Sequence, residues 1–175
     1  MLIDTGVDFW TALRVQPPPI PASLRLARDD DLPALRDLAA KAFTYSRFAV
    51  DPFFTPEQVE AFHREWVTNL HNGLAQAVLV SEADGGPEGF VSCSLSDGKG
   101  RIPLIAVAET ARGRGVGSAL VKAALRWFHE QGAGEARVKT QANNVPAVAL
   151  YERCGFVLER PELTFSAGFE ANRRR

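Results

Sequence analysis

The chain reads as an α/β domain, with one mixed, mostly antiparallel sheet and helices on both faces. Three observations predict it. Two segments with apolar residues at helical spacing precede residue 73. Three runs between residues 75 and 107 alternate or are continuously apolar, as strands are. From residue 104 a strand, a glycine-rich loop, a helix, a second strand and a second helix follow in order. The resulting order, β-α-α-β-β-β-α-β-α-β, buries its apolar surface when helices cover both faces of the sheet.

Residues 1–22 read as an extension: a short mixed segment with Phe9 and Trp10, then Pro17-Pro18-Pro19 and Pro21, which forbid a helix and favour extended backbone. The domain spans 23–170, and 171–175 form a basic tail ending in Arg173-Arg174-Arg175. Leu24–Ala27 alternates like a strand, and Asp29 or Asp30 then offers an N-cap to a helix with Leu32, Leu35, Leu38 and Ala39 on one face. After a polar and aromatic stretch, Thr55-Pro56-Glu57 opens a helix carrying Val59, Phe62, Trp66 and Leu70, ending at Gly73. Ala77–Val80, Gly89–Leu95 and Ile102–Val107 make an antiparallel meander. Pro103 has no N–H to give a ladder, so pairing in the third strand is expected from Leu104. Gly115–Gln131 is a helix with Val116, Leu120, Ala124 and Phe128 on one face; Ala136–Thr140 is a strand, Val145–Cys154 a helix, and Phe156–Phe169 one or two closing strands.

Composition removes several function classes. At 175 residues the chain can close a core without disulfides or metals. Lys+Arg total 20 against Asp+Glu 21, so no overall field draws the protein to nucleic acid or to an anionic membrane. The cysteines, Cys93 and Cys154, lack the spacing of a zinc site or a disulfide framework, which suits a reducing cytoplasm and predicts no metal. Met1–Trp10 lacks the basic start and apolar run of a signal peptide, and no stretch of 18 apolar residues is present.

The most informative segment joins the strand Leu104–Val107 to a helix through Ala108-Glu109-Thr110-Ala111-Arg112-Gly113-Arg114-Gly115-Val116-Gly117-Ser118. Such a loop aims successive N–H groups at one point, where glycines admit an anion and the helix dipole favours it. Arg112 and Arg114 add charge for phosphate oxygens. No Gly-Lys-Ser/Thr follows, so a nucleotide P-loop is excluded; no third glycine completes Gly-x-Gly-x-x-Gly, so a dinucleotide fold is excluded. An ordinary connection with flexible glycines remains the plain alternative.

Arg112-x-x-Gly115-x-Gly117 resembles the pyrophosphate motif of the GNAT superfamily of N-acetyltransferases. Asn144-Val-Pro-Ala147-Val-Ala-Leu150-Tyr151-Glu-Arg-Cys-Gly155-Phe156 resembles that superfamily's second signature, and the likeness covers residues 24 to about 168. The resemblance implies acetyl-coenzyme A as co-substrate and a pair of parallel strands that splay apart to admit its pantetheine arm. It places the cofactor against Ile105, Ala106 and Val107, then Arg112, Gly113, Arg114, Gly115, Val116, Gly117 and Ser118, with Asn144, Ala147 and Tyr151 beyond. Tyr151 matches the residue that hydrogen-bonds the departing sulfur, and the Val107 N–H the oxyanion donor. Asn144 binds the cofactor or caps its helix. Glu109 stands where a proline is common and is the candidate general base, with ordered water as the alternative; His63, His71 and His129 are scattered on helices.

The resemblance further implies that residues 43–73 build the acceptor site. Ser46-Arg47-Phe48, followed by a helix with Phe62 and Trp66, resembles the same region of dTDP-fucosamine acetyltransferases and related bacterial nucleotide-sugar N-acetyltransferases, as does Gln141. Arg47, Phe48 and Trp66 are the candidate acceptor contacts, although the aromatic residues could equally be core. The resulting expectation is transfer of an acetyl group to a small-molecule primary amine. A protein N-terminus or lysine as acceptor, and a non-catalytic acetyl-coenzyme A sensor, are the alternatives. An exposed Phe9-Trp10 would be available to a second copy in a homodimer.

Overall fold

The computed structural model describes residues 2–14, 21 and 23–165, save the side chain of Ile3. The Pro17–Pro19 segment, the end of the expected closing strand and the tail at 171–175 lie outside the described residues. The elements run β1 (Leu2–Ala12), β2 (Leu24–Leu26), α1 (Leu32–Ala42), α2 (Arg47–Val50), α3 (Pro56–Asn69), β3 (Ala77–Ala83), β4 (Gly86–Ser96), β5 (Lys99–Ile102), β6 (Ile105–Val107), α4 (Val116–Glu130), β7 (Glu135–Gln141), α5 (Val145–Arg153) and β8 (Val157–Phe165). They form one mixed sheet, ordered β2-β3-β4-β5-β7-β1-β8, with β6 paired to β4 off that path. Only β5 and β7 pair in parallel among the described strands.

Strand alternation divides the core. Ala77, Leu79, Val91 and Cys93 face α4 and α5 with Leu120, Ala124 and Phe128, while Val78, Val80 and Phe90 face α1 and α3 with Leu35, Ala39, Val67 and Leu70. Gly100 lets β5 come against α4, because a Cβ there would lie 2.5 Å from the Phe128 ring. Beyond β7 the face bearing Asp8, Arg137, Lys139 and Glu162 carries ion pairs, including Arg137–Glu159 at 2.9 Å and Lys139–Glu162 at 2.6 Å.

Four expectations change. The segment read as an extension contributes β1, which lies between β7 and β8 and pairs antiparallel with both. Its Val7 and Phe9 alternate inward and Asp8 outward; Phe9 is 2% exposed, which removes it as a surface for a second copy. The first helix opens after a 3-10 turn at Asp29–Asp31, and its N-cap Asp31 instead accepts from the Arg28 N–H and the Arg25 guanidinium, both at 2.7 Å. The third meander strand is broken in two: Lys99–Ile102 pairs before Pro103, and pairing resumes at Ile105. The stretch before α3 holds the short helix α2, with Ser46 as its cap: the Ser46 Oγ accepts from the Ala49 N–H.

Candidate active site

The break at Pro103 shapes the site. β5 runs beside β7 from Lys99↔Glu135 to Ile102↔Val138, and there the pairing stops. β6 continues on β4, through Gly89↔Val107 to Val91↔Ile105, while β7 continues on β1 as far as Gly6↔Gln141. Two strands that are neighbours at Val138 have thus parted by Gln141. The Ser92 N–H donates to the Leu104 carbonyl (2.8 Å) and the Ala108 N–H to the Glu88 carbonyl (2.8 Å). Alternation then turns the backbone of Leu104, Ala106 and Ala108 into the β4 ladder and that of Ile105 and Val107 towards the gap. Ala106 therefore offers the gap no backbone group.

At the end of β6 a 3-10 turn, Glu109–Ala111, leads through Gly113 (φ 75°) and Gly115 (φ 85°) into α4. Both glycines sit in the left-handed region, which a residue with a Cβ enters only at a cost. Gly115 is the N-cap and has no side chain to satisfy the first turn, so the N–H groups of Val116, Gly117 and Ser118 stay free within the helix. Gly117 permits the convergence of β6, α4 and α5: a Cβ there would lie 3.3 Å from Leu150 and 3.8 Å from Val107. The arginines differ. Arg114 pairs with Glu88 at 3.2 Å, whereas Arg112 is exposed and makes no ion pair among the described residues. Glu88, which also accepts from Ser81 Oγ at 3.2 Å, was not singled out from the sequence, where 26 positions separate it from Arg114.

Tyr151 is 3% exposed, its ring 6.1 Å from Phe9 and 5.8 Å from Phe156. Phe9 faces Val138, the last β7 residue paired to β5, across the β1–β7 ladder. Burial pushes the phenol's pKa well above its usual value, so the group is neutral, and among the described residues its hydroxyl has no hydrogen-bond partner. Cys154, one turn along, lies 3.5 Å from Ser118 Oγ and ties α5 to α4. The Asn144 side chain caps α5 by accepting from the Ala147 N–H at 3.3 Å, which occupies both residues in holding the helix. Glu109 is exposed at the mouth of the loop.

The acceptor candidates lie on α2 and α3. The Arg47 guanidinium sits 4.8 Å over the Phe48 ring and makes no ion pair among the described residues. Phe48 meets Phe62 at 4.5 Å; Trp66 packs on Phe62 (5.5 Å) and His63 (6.3 Å) against the α1–α3 core. His63 is buried, and His71 pairs with Asp29 at 3.0 Å.

Parted strands with a free backbone edge, closed at one end by an uncapped helix N-terminus, coincide with a family match. The family model for the Acetyltransferase (GNAT) family matches residues 32–156. The chain belongs to that family. It is 35% identical over 137 residues to the dTDP-fucosamine acetyltransferase of Escherichia coli O6:H1, covering 77% of this chain and 58% of that one. It is 29% identical over 130 residues to the spore coat polysaccharide biosynthesis protein SpsD of Bacillus subtilis strain 168, covering 74% and 45%. The chain thus spans about half the length of these curated relatives. Among solved structures, a GCN5-related N-acetyltransferase from Sphaerobacter thermophilus superposes with a TM-score of 0.65 at 20% identity, over 93% of this chain and 51% of that one, and so shares the GNAT fold. Among the described residues no helix is long and apolar enough to cross a membrane, and no group of His, Cys, Asp and Glu is arranged to hold a metal.

Proposed function

We propose that this GNAT protein is an acetyl-coenzyme A-dependent N-acetyltransferase whose acceptor is a primary amine on a small molecule, namely an amino sugar carried on a nucleotide. The observation that carries the reading is the gap between β6 and β7, with the unpaired backbone of Ile105 and Val107 along it and the α4 N-terminus at its mouth. An elongated ligand with amides in its middle and phosphates at one end fits that shape and polarity.

Acetyl-coenzyme A would supply an acyl thioester already activated towards an amine. The Ile105 and Val107 backbone would pair with its amide-bearing arm. The N–H groups of Val116, Gly117 and Ser118, together with Arg112, would hold the pyrophosphate, with Arg114 fixed by Glu88 to shape the loop. The Val107 N–H is the donor for a carbonyl oxygen gaining negative charge. Tyr151, neutral across the physiological range, donates a hydrogen bond to the departing sulfur. Glu109 accepts the amine's proton, directly or through water.

The acceptor assignment is supported by the likeness to the dTDP-fucosamine acetyltransferase and by the unpaired Arg47 beside a group of phenylalanines. The deciding assay follows thiol release from acetyl-coenzyme A with a dTDP-linked amino sugar, free amino sugars, an aminoglycoside and short peptides. Selective turnover of the nucleotide sugar is expected. Selective turnover of peptides would replace the acceptor, and binding of acetyl-coenzyme A without any turnover would replace the enzyme by a sensor.

A further inference from the structure

Between α2 and α3 lies a cavity of about 150 Å³ lined by Phe48, Phe54, Gln58, Val59 and Phe62. Sites that enclose a whole small ligand run to roughly 300–1,000 Å³, so this one takes a single ring. Its walls are ring faces and edges: Phe48 meets Phe54 edge-on at 5.5 Å and Phe62 at 4.5 Å. Apolar surface is left open around it, with Phe53 61%, Phe54 44% and Phe62 41% exposed, more than burial of a core would leave. The one polar side chain in the lining is Gln58, whose Oε1 accepts from the Thr55 N–H, so its amide NH₂ remains to donate. Arg47 stands beside the cup with its guanidinium over Phe48 and makes no ion pair among the described residues.

α2 packs beside β1, and the charge of Arg47 reaches Glu162 on β8. Glu162 accepts from Lys139 Nζ at 2.6 Å, and Lys139 is the first β7 residue past the last pair with β5.

We propose that this cup binds the pyrimidine base of the acceptor's nucleotide, with Arg47 on the diphosphate and the Gln58 amide on a base carbonyl. The proposal rests on the acceptor being nucleotide-linked, and it adds that recognition comes from the base, through Phe54 and Phe62, ahead of the sugar. An exposed apolar cup alone would also suit a second copy or a protein partner; the Arg47 guanidinium at its rim, in no ion pair among the described residues, and its one-ring size favour the base.

The test is calorimetric titration of dTDP, thymidine and ADP into the full chain without acetyl-coenzyme A, using wild type, Phe54→Ala, Phe62→Leu and Arg47→Ala. Phe54 and Phe62 are partly exposed, and thermal unfolding confirms that the variants fold. dTDP is expected to bind, ADP to bind at least tenfold more weakly, and loss of either ring to weaken dTDP about 5- to 100-fold, the range of one base-stacking contact. Arg47→Ala should weaken dTDP while leaving thymidine unchanged. Unaltered dTDP affinity in the two Phe variants overturns the cup even if a dTDP-amino sugar is acetylated, which leaves the proposed reaction standing. Ring-dependent dTDP binding without acetylation of any dTDP-amino sugar keeps the cup and removes the reaction. Absence of dTDP binding, with self-association abolished by Phe54→Asp, overturns the cup in favour of a second copy.

Discussion

Tyr151 joins two properties that seldom occur together in a buried residue: a ring packed on Phe9 and Phe156, and a hydroxyl without a protein partner among the described residues. Replacing it by Phe removes no intramolecular hydrogen bond, so stability should change by less than about 0.5 kcal/mol. If the hydroxyl serves the leaving sulfur, kcat should fall by roughly 100-fold with the KM for acetyl-coenzyme A unchanged; unchanged kcat in steady-state assays would remove the role. His63 gives a second prediction. Its Nδ1 donates to the Val59 carbonyl at 2.8 Å, its ring stacks on Phe43 at 4.7 Å, and burial lowers its pKa. The unfolded chain takes up a proton below the usual value of about 6.5 while the folded chain resists it, so this contribution to stability is complete above that pH and lost as pH falls below it. Thermal midpoints between pH 5 and 7.5 should fall more steeply with acid for wild type than for His63→Gln. Tyr151 was legible because a spaced motif surrounds it; the burial of His63 was not, because one helical histidine looks the same on either face until its neighbours are known.

At the scale of elements, the β5–β6 break is held by one side chain. The fully buried Ser92 hydroxyl accepts from the Leu104 N–H at 2.9 Å and donates to the Leu104 carbonyl at 3.1 Å, while the Ser92 N–H donates to that same carbonyl at 2.8 Å. Leu104 thereby stays bound to β4 across the step where Pro103 interrupts the ladder. Ser92→Ala leaves a buried N–H unpaired and should cost about 1–3 kcal/mol in denaturant unfolding. It should also raise the KM for acetyl-coenzyme A, since the Ile105–Val107 edge loses its anchor. Pro103 marks the disturbance in the sequence, yet the chain is paired on both sides of it, through Lys99–Ile102 before and from Leu104 after. A proline shows that a donor is missing, whereas the bonds that hold the next residue, Leu104, come from a serine 12 residues before it on another strand.

Across the whole molecule, the N-terminal strand completes the sheet. β8 has β1 as its neighbour in the strand order, and Phe9 fills the core between β7 and α5. Phe9→Ala should destabilise the fold by about 3–5 kcal/mol, a large share of the ~5–15 kcal/mol that holds a domain together. Removing residues 1–13 should abolish cooperative unfolding, read by circular dichroism; a deletion variant that still melts sharply would show β1 to be dispensable. The sequence by itself determined the α/β class, most of the helices, the loop from Ala108 to Ser118 and the family, because helical spacing, strand alternation and glycines before a helix are local properties of the chain. Tertiary structure alone decided that β1 inserts between β7 and β8, that Glu88 holds Arg114, that the β5–β7 pairing stops at Val138 and leaves β6 apart from β7, and that Phe48, Phe54 and Phe62 enclose a cup. Each of these depends on which distant segments meet, and pairing register and packing are set by the whole core at once.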